Sequence, residues 1–280
     1  MTAKCRSVYP KSQTKEAVEV VAHKRPKPRK VEQKALFPIV LALATIILAP
    51  QVAAQAQDGR EEGPIEIEKC RTIDKPGSYK LVNNLTFTST DGTCLLITAD
   101  CITIDLAGFT ITGPGTNLIL GTTTAIATQS SSSNLQGIAV RNGSISNFTD
   151  GVELSSADGS IVEALRVSRC LGFGISATGI VKGNTVVGCS SHEGFGISAT
   201  GIVTGNTVSG SGTFAGMAIG QGSTVIGNAS TNNGVGGEGA GFGIAVDCPS
   251  NVTDNTAVNN FGANLVLNGD GCTNTDNVAP

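Results

Sequence analysis

Few side chains in this sequence can move a proton. Beyond residue 56 the one histidine is His192, and the charged residues that cluster mid-chain are Arg141, Asp150, Glu153, Arg166 and Arg169. Glycosidic hydrolysis takes two carboxyl groups about 5 to 9.5 Å apart, and elimination takes a base beside a neutralised carboxylate. Glu153 alone supplies neither. The charged residues therefore read as solvated turns and stacked ion pairs, Glu163 with Lys182 among them, and no catalytic residue is assigned. A second set suits ligand binding better. His192, Glu193, Phe214 and Glu238 fall in three segments where successive coils lengthen, residues 190–193, 210–215 and 232–240, with an aromatic ring able to stack on a sugar and polar groups able to bond hydroxyls.

Those segments recur because the chain repeats. Residues 172–181, GFGISATGIV, return at 194–203, twenty-two residues later. Leading glycines stand at Gly151, Gly172, Gly194, Gly216, Gly241 and Gly262, and Gly183-Asn184-Thr185 returns as Gly205-Asn206-Thr207 and Gly227-Asn228-Ala229. A period of this length means a solenoid whose coils cannot bury a core singly. Apolar residues one and three places after each leading glycine (Val152 and Leu154, Phe173 and Ile175, Phe195 and Ile197, Met217 and Ile219, Phe242 and Ile244) have period two, so they predict strands with these pairs as internal columns. On that alignment the outward positions are Glu153, Gly174, Gly196, Ala218 and Gly243, then Ser155, Ser176, Ser198, Gly220 and Ala245.

Composition agrees. Thirty-six glycines, no tryptophan and 4% aromatic residues do not describe an ordinary packed core. The expected fold is all-β, a parallel β-helix of about nine coils of 21–22 residues, a rod about 40 Å long at a strand spacing of about 4.8 Å. Asn184, Asn206, Asn228 and Asn255 are expected to form an asparagine ladder in one bend. Residues 113–136, with a serine run, read as a lateral excursion.

Residues 1–56 carry ten Lys and Arg against three Glu, a balance of +7; the whole chain carries 19 against 22, which leaves 9 − 19 = −10 for the rest. The acidic body excludes nucleic acid as a partner. A basic stretch, a thirteen-residue apolar run from Leu36 to Leu48 broken by Pro38, and the small residues after it read as a cleaved export signal. The expected products are a basic region plus signal peptide at 1–56, disordered or helical, a capping segment at 57–77 and the β-helix at 78–280. The alternative is a membrane anchor through residues 36–49, although the run is short for a span. The long basic lead would also fit a translation start near Val31. Secretion or periplasmic residence follows, with membrane contact only during export.

Seven cysteines follow residue 56 without a Cys-x-x-Cys pair, so disulfides are expected and no metal or other cofactor is. Cys170 and Cys189 stand at the same point of adjacent coils and are expected to bond. Cys70, Cys94 and Cys101 compete for one bond, with Cys70 to Cys94 preferred and Cys101 left as an inert buried thiol.

Residues 100–113, DCITIDLAGFTITG, and 140–145, VRNGSI, resemble the right-handed parallel β-helix repeat proteins of the pectin lyase-like superfamily, and the likeness extends over most of residues 70–280. Cys101 and Ala107 stand where that pattern expects asparagine. The resemblance implies a right-handed coil and a C-terminal clasp between Cys248 and Cys272. It also implies either a glycan-related role or lyase or hydrolase activity, but the Asp-Asp and Gly-His-Gly motifs of polygalacturonases are missing. The expectation is an exported, non-catalytic protein that binds a polysaccharide or cell-envelope glycan or serves as an envelope scaffold. The alternatives are a polysaccharide lyase or glycoside hydrolase, and a self-associating surface protein with a smooth Gly and Ser face.

Overall fold

The computed structural model describes residues 63–115, 122–129, 135–189, 194–211, 213–234 and 240–280. They form a parallel β-solenoid with three sheets, and every strand pair within those sheets is parallel. The first sheet stacks Arg71–Ile73, Gly92–Ile97, Thr123–Thr128, Asp150–Leu154, Ile175–Lys182, Phe195–Thr204, Ala215–Ile219, Phe242–Asp247 and Leu265–Asn268. Nine strands make eight complete windings. Ile175–Lys182 and Phe195–Thr204 turn a corner into the second sheet at Gly179 and Gly201, whose φ values of 142° and 125° suit glycine. The third sheet includes Thr185–Val187, Thr207–Ser209 and Ala229–Thr231.

The near-duplicate decapeptides and the residue after each lie in register over eight consecutive pairs, Ile175 on Ile197 through Lys182 on Thr204. Their inward residues, and the like residues above and below, build one continuous core: Val152, Ile175, Ile197, Met217 and Ile244 are all fully buried.

Each corner carries its own polar ladder. Between the second and third sheets Asn184, Asn206, Asn228, Asn255 and Asn277 run up the rod, each Oδ1 accepting from the backbone N–H of the coil below. Each Nδ2 donates to a carbonyl of the coil below, as in Asn206 to Val181 O at 2.8 Å. Between the third and first sheets Ser211, Asn233 and Asn260 likewise accept from backbone N–H groups of the coil below, continuing a column that begins with Cys170 and Cys189. Ser223 and Ser250 serve the remaining corner. These bonds satisfy turn amides that the parallel ladders leave over.

Cys70–Cys94 and Cys248–Cys272 are disulfides, the second fastening the last two coils of the first sheet. Two expectations fail. Cys101 is no spare thiol but is disulfide-bonded. Cys170 and Cys189 are not bonded to each other but are buried thiols. They occupy a ladder column below the serine and asparagines; the hydrogen bond between the two thiols, then burial, pushes the Cys170 thiol well above its usual pKa. Residues 113–136 are not simply an excursion either, because Thr123–Thr128 is a strand of the first sheet. Its Ala125 and Ile126 are fully buried, which the serine-rich surroundings disguise. Cys101 and Ala107 adopt φ of 57° and 51°, the left-handed conformation that explains the preference for asparagine there.

Candidate functional site: a phenylalanine-walled groove on the first sheet

Five glycines decide which way the neighbouring rings face. A Cβ at Gly151, Gly174, Gly196, Gly216 or Gly243 would point into the core, against Val167, Val186, Val208, Ser230 or Asn260. The next residue in each coil, Val152 through Ile244, also points inward. Two successive inward residues break the alternation, as in a bulge, and consecutive amides of one coil bond consecutive carbonyls of the next: Gly151 N to Phe173 O at 2.9 Å and Val152 N to Gly174 O at 3.0 Å. The residue before each glycine therefore turns outward. Phe195 and Phe242 stand there, half-buried beside a surface groove and not in the internal column that simple alternation assigns them.

The groove has a volume of about 410 Å³ and crosses four coils. Phe195, Phe214 and Phe242 form its wall; the Phe195 and Phe214 ring centroids are 6.2 Å apart, and Phe173 extends the stack at 5.8 Å from Phe195. Ser198, Ala218 and Ala245, in register, make a floor of small residues. Thr200, Asp247 and Asn268 supply polar groups at the far edge, where Gly220 leaves space for the Thr200 hydroxyl. Asn268 Nδ2 donates to Asp247 Oδ1 at 3.1 Å, so the carboxylate is held in place and retains acceptor capacity for a ligand. Aromatic faces beside hydroxyl, amide and carboxylate groups can cradle the apolar face of a ring and bond its hydroxyls.

Of the four residues expected to bind, Phe214 is in this wall, 41% exposed. His192, Glu193 and Glu238 lie outside the described residues. Phe195 and Phe242 were missed because they were read as core, and Asp247 because the outward column was followed only as far as Ala245. The glycine column was the available signal: Gly151 aligns with Gly174, not Gly172, so Glu153 pairs with Ser176 and not with Gly174.

The charged residues read as a mid-chain cluster do not share a face. Arg141 is on the second sheet, 3.2 Å from Asp105, and Arg166 is on the third. Asp150 and Glu153 leave the outer face of one strand of the first sheet. Burial pushes the Asp150 carboxyl pKa up and the Glu153 charge raises it further, against the lowering effect of the Phe173 amide, which donates to it at 2.8 Å. Glu153 accepts from Ser155 and Ser176 hydroxyls. Glu163 meets Lys182 at 2.9 Å, as the sequence leads one to expect. Among the described residues no group of three or more His, Cys, Asp or Glu is placed to hold a metal ion.

No curated protein matches the chain in sequence. Among solved structures it is similar to the enzymatically active domain of bacteriophage CBA120 tailspike protein 2, with 15% identity and a TM-score of 0.44 over 72% of this chain and 42% of that one. It is also similar to the Dettilon tailspike protein, with 13% identity and a TM-score of 0.38 over 74% and 59% of the two chains. A third is the A-module of Azotobacter vinelandii mannuronan C-5 epimerase AlgE4, with 8% identity and a TM-score of 0.29 over 72% and 86%. The chain thus spans less than two thirds of either tailspike chain. The family model of the right-handed beta helix region matches residues 73–235, more than half of the sequence. With its three parallel sheets and cornered coils, the chain belongs to the right-handed beta helix family.

Proposed function

We propose that this is an exported, non-catalytic β-helix protein that binds a neutral glycan of the cell envelope in the phenylalanine-walled groove. The observation that carries the reading is the groove itself: three outward phenylalanines over a small-residue floor, faced by Thr200, Asp247 and Asn268. Its described lining holds one carboxylate and no Lys, Arg or His, so a polyuronate would meet repulsion without a neutralising cation. The Cys70–Cys94 and Cys248–Cys272 disulfides suit an oxidising extracellular or periplasmic compartment. His192, Glu193 and Glu238 are assigned to binding on their sequence setting alone, in segments where successive coils lengthen. The test is a glycan array probed with the mature protein. Retention of neutral glycans that is lost in Phe214→Ala and kept in Glu153→Ala supports the reading; equal retention by both variants removes it.

A second reading, a polysaccharide lyase or hydrolase, is favoured by one observation: Asp150, with its raised pKa, shares an outer strand face with Glu153. Incubation with neutral glycans and polyuronates, with and without calcium, tests it. New reducing or unsaturated ends that disappear in Glu153→Gln would establish turnover.

A further inference from the structure

The outer face of the second sheet carries two columns of a different character. One is apolar at mid-rod: Thr103, Ala139, Ile161, Ile180 and Ile202 stand one above another, outward of the buried Ile104, Val140, Val162, Val181 and Val203. Ile202 is 47% exposed. Two residues along each strand runs a charged column, Lys80, Asp105, Arg141, Glu163 and Lys182, in which the sign alternates at every coil. Within the chain it closes into two pairs, Arg141 with Asp105 and Lys182 with Glu163.

Such a column complements itself only when inverted. A two-fold axis along the strand direction reverses the order of the coils and keeps each column facing its own copy. With the axis between the Arg141 and Glu163 coils, Asp105 meets Lys182 of the second copy, Arg141 meets Glu163, Ala139 meets Ile161 and Thr103 meets Ile180, while Ile202 and Lys80 fall opposite Ser78 and Thr204. A two-fold along the rod keeps each coil opposite its own level and so cannot pair the column's opposite charges, and end-to-end stacking leaves the face exposed. The geometry points to an antiparallel, isologous homodimer formed through the outer face of the second sheet, with a second copy of this chain as its occupant. The pairing needs no part of the first sheet, so each dimer displays two phenylalanine-walled grooves and gains avidity for a repeating polymer. It stands whether or not those grooves bind glycan.

Cysteine cross-linking of the full mature protein tests both the contact and its direction. Thr103 and Ile180 are three coils apart within one chain, about 14 Å at the strand spacing, too far for a disulfide between them. In the inverted dimer Thr103 faces Ile180 of the second copy. The double variant Thr103→Cys/Ile180→Cys is expected to give a covalent dimer with a bis-maleimide of about 8 Å reach, which suits facing side chains on sheets about 10 Å apart and is too short for the separation within one chain; neither single variant is. Cross-linking by a single variant would overturn the inverted arrangement. Sedimentation equilibrium gives the independent arm. The unmodified protein should dimerise, the dissociation constant should rise about tenfold or more in Ile180→Lys, and 1 M salt should weaken association. A monomer at every concentration, with no cross-link in the double variant, refutes the proposal. The substituted side chains point outward, and far-ultraviolet circular dichroism confirms that each variant is folded.

Discussion

Truncating Asn206 to alanine tests the ladder that holds the coils in register. The side chain is 1% exposed, and its Oδ1 accepts from both the backbone N–H and the Nδ2 of Asn184, each at 3.0 Å. Its Nδ2 donates to Val181 O at 2.8 Å and Asn228 Oδ1 at 3.0 Å. Alanine would orphan the Asn184 amide and the Val181 carbonyl; Asn184 Nδ2 keeps Val162 O, and Asn228 Oδ1 keeps the Asn206 amide. Two buried groups left unpaired at about 1–3 kcal/mol each give a loss of about 2–6 kcal/mol. Urea unfolding followed by far-ultraviolet circular dichroism reads the change, with Thr207→Ala, on an exposed face of the same coil, as the control expected within about 0.5 kcal/mol. Because a solenoid can open locally, native-state hydrogen exchange at the Asn184 amide provides a site-resolved reading. A loss below about 1 kcal/mol, with protection at Asn184 unchanged, would refute the claim that this stack satisfies the bend.

Three other perturbations follow from the same geometry. Asp150 has a folded pKa above its unfolded value, so the folded state binds more protons and stability falls as pH rises from the usual aspartate range through the raised value; Asp150→Asn should flatten that slope in melting temperature measured against pH, and an unaltered slope would contradict it. Gly196→Ala puts a methyl group against the Val208 side chain and 2.7 Å from Gly216 O, and the overpacking should cost about 1–3 kcal/mol in urea unfolding; a neutral result would mean that the inward turn at this glycine is misassigned. Cys170 and Cys189, 2% and 0% exposed, should react with a thiol reagent only in denaturant; fast labelling of the native protein would contradict their burial.

How far the sequence could be read depended on how regular the coils are. The decapeptide repeat and the recurring Gly-Asn pair declared the solenoid, because identical spacing in adjacent coils forces identical placement, and Ile175 on Ile197 and Asn184 on Asn206 follow directly. Where coil lengths change, equal spacing of glycines no longer marks equal positions in the coil. Gly172 and Gly194 were matched to Gly151 and Gly216, whereas the bulge puts Gly174 and Gly196 in that column and slides Glu153 onto Ser176. That slip hid the groove: strict alternation sends Phe195 and Phe242 inward, and only the paired inward residues Gly196-Ile197 and Gly243-Ile244 show why they face out. Phe214 was legible because its glycine-rich setting marks a loop edge. Cys170 and Cys189 were correctly stacked but wrongly bonded, since nothing in their spacing separates a disulfide from a hydrogen-bonded thiol column.

The most direct measurement is a crystal structure of the mature protein soaked with a neutral oligosaccharide retained on the glycan array. A sugar ring lying over Phe214 with hydroxyls bonded to Asp247 and Asn268 is the predicted result. Density for the sugar on another face, with the phenylalanine wall bare, would contradict the account.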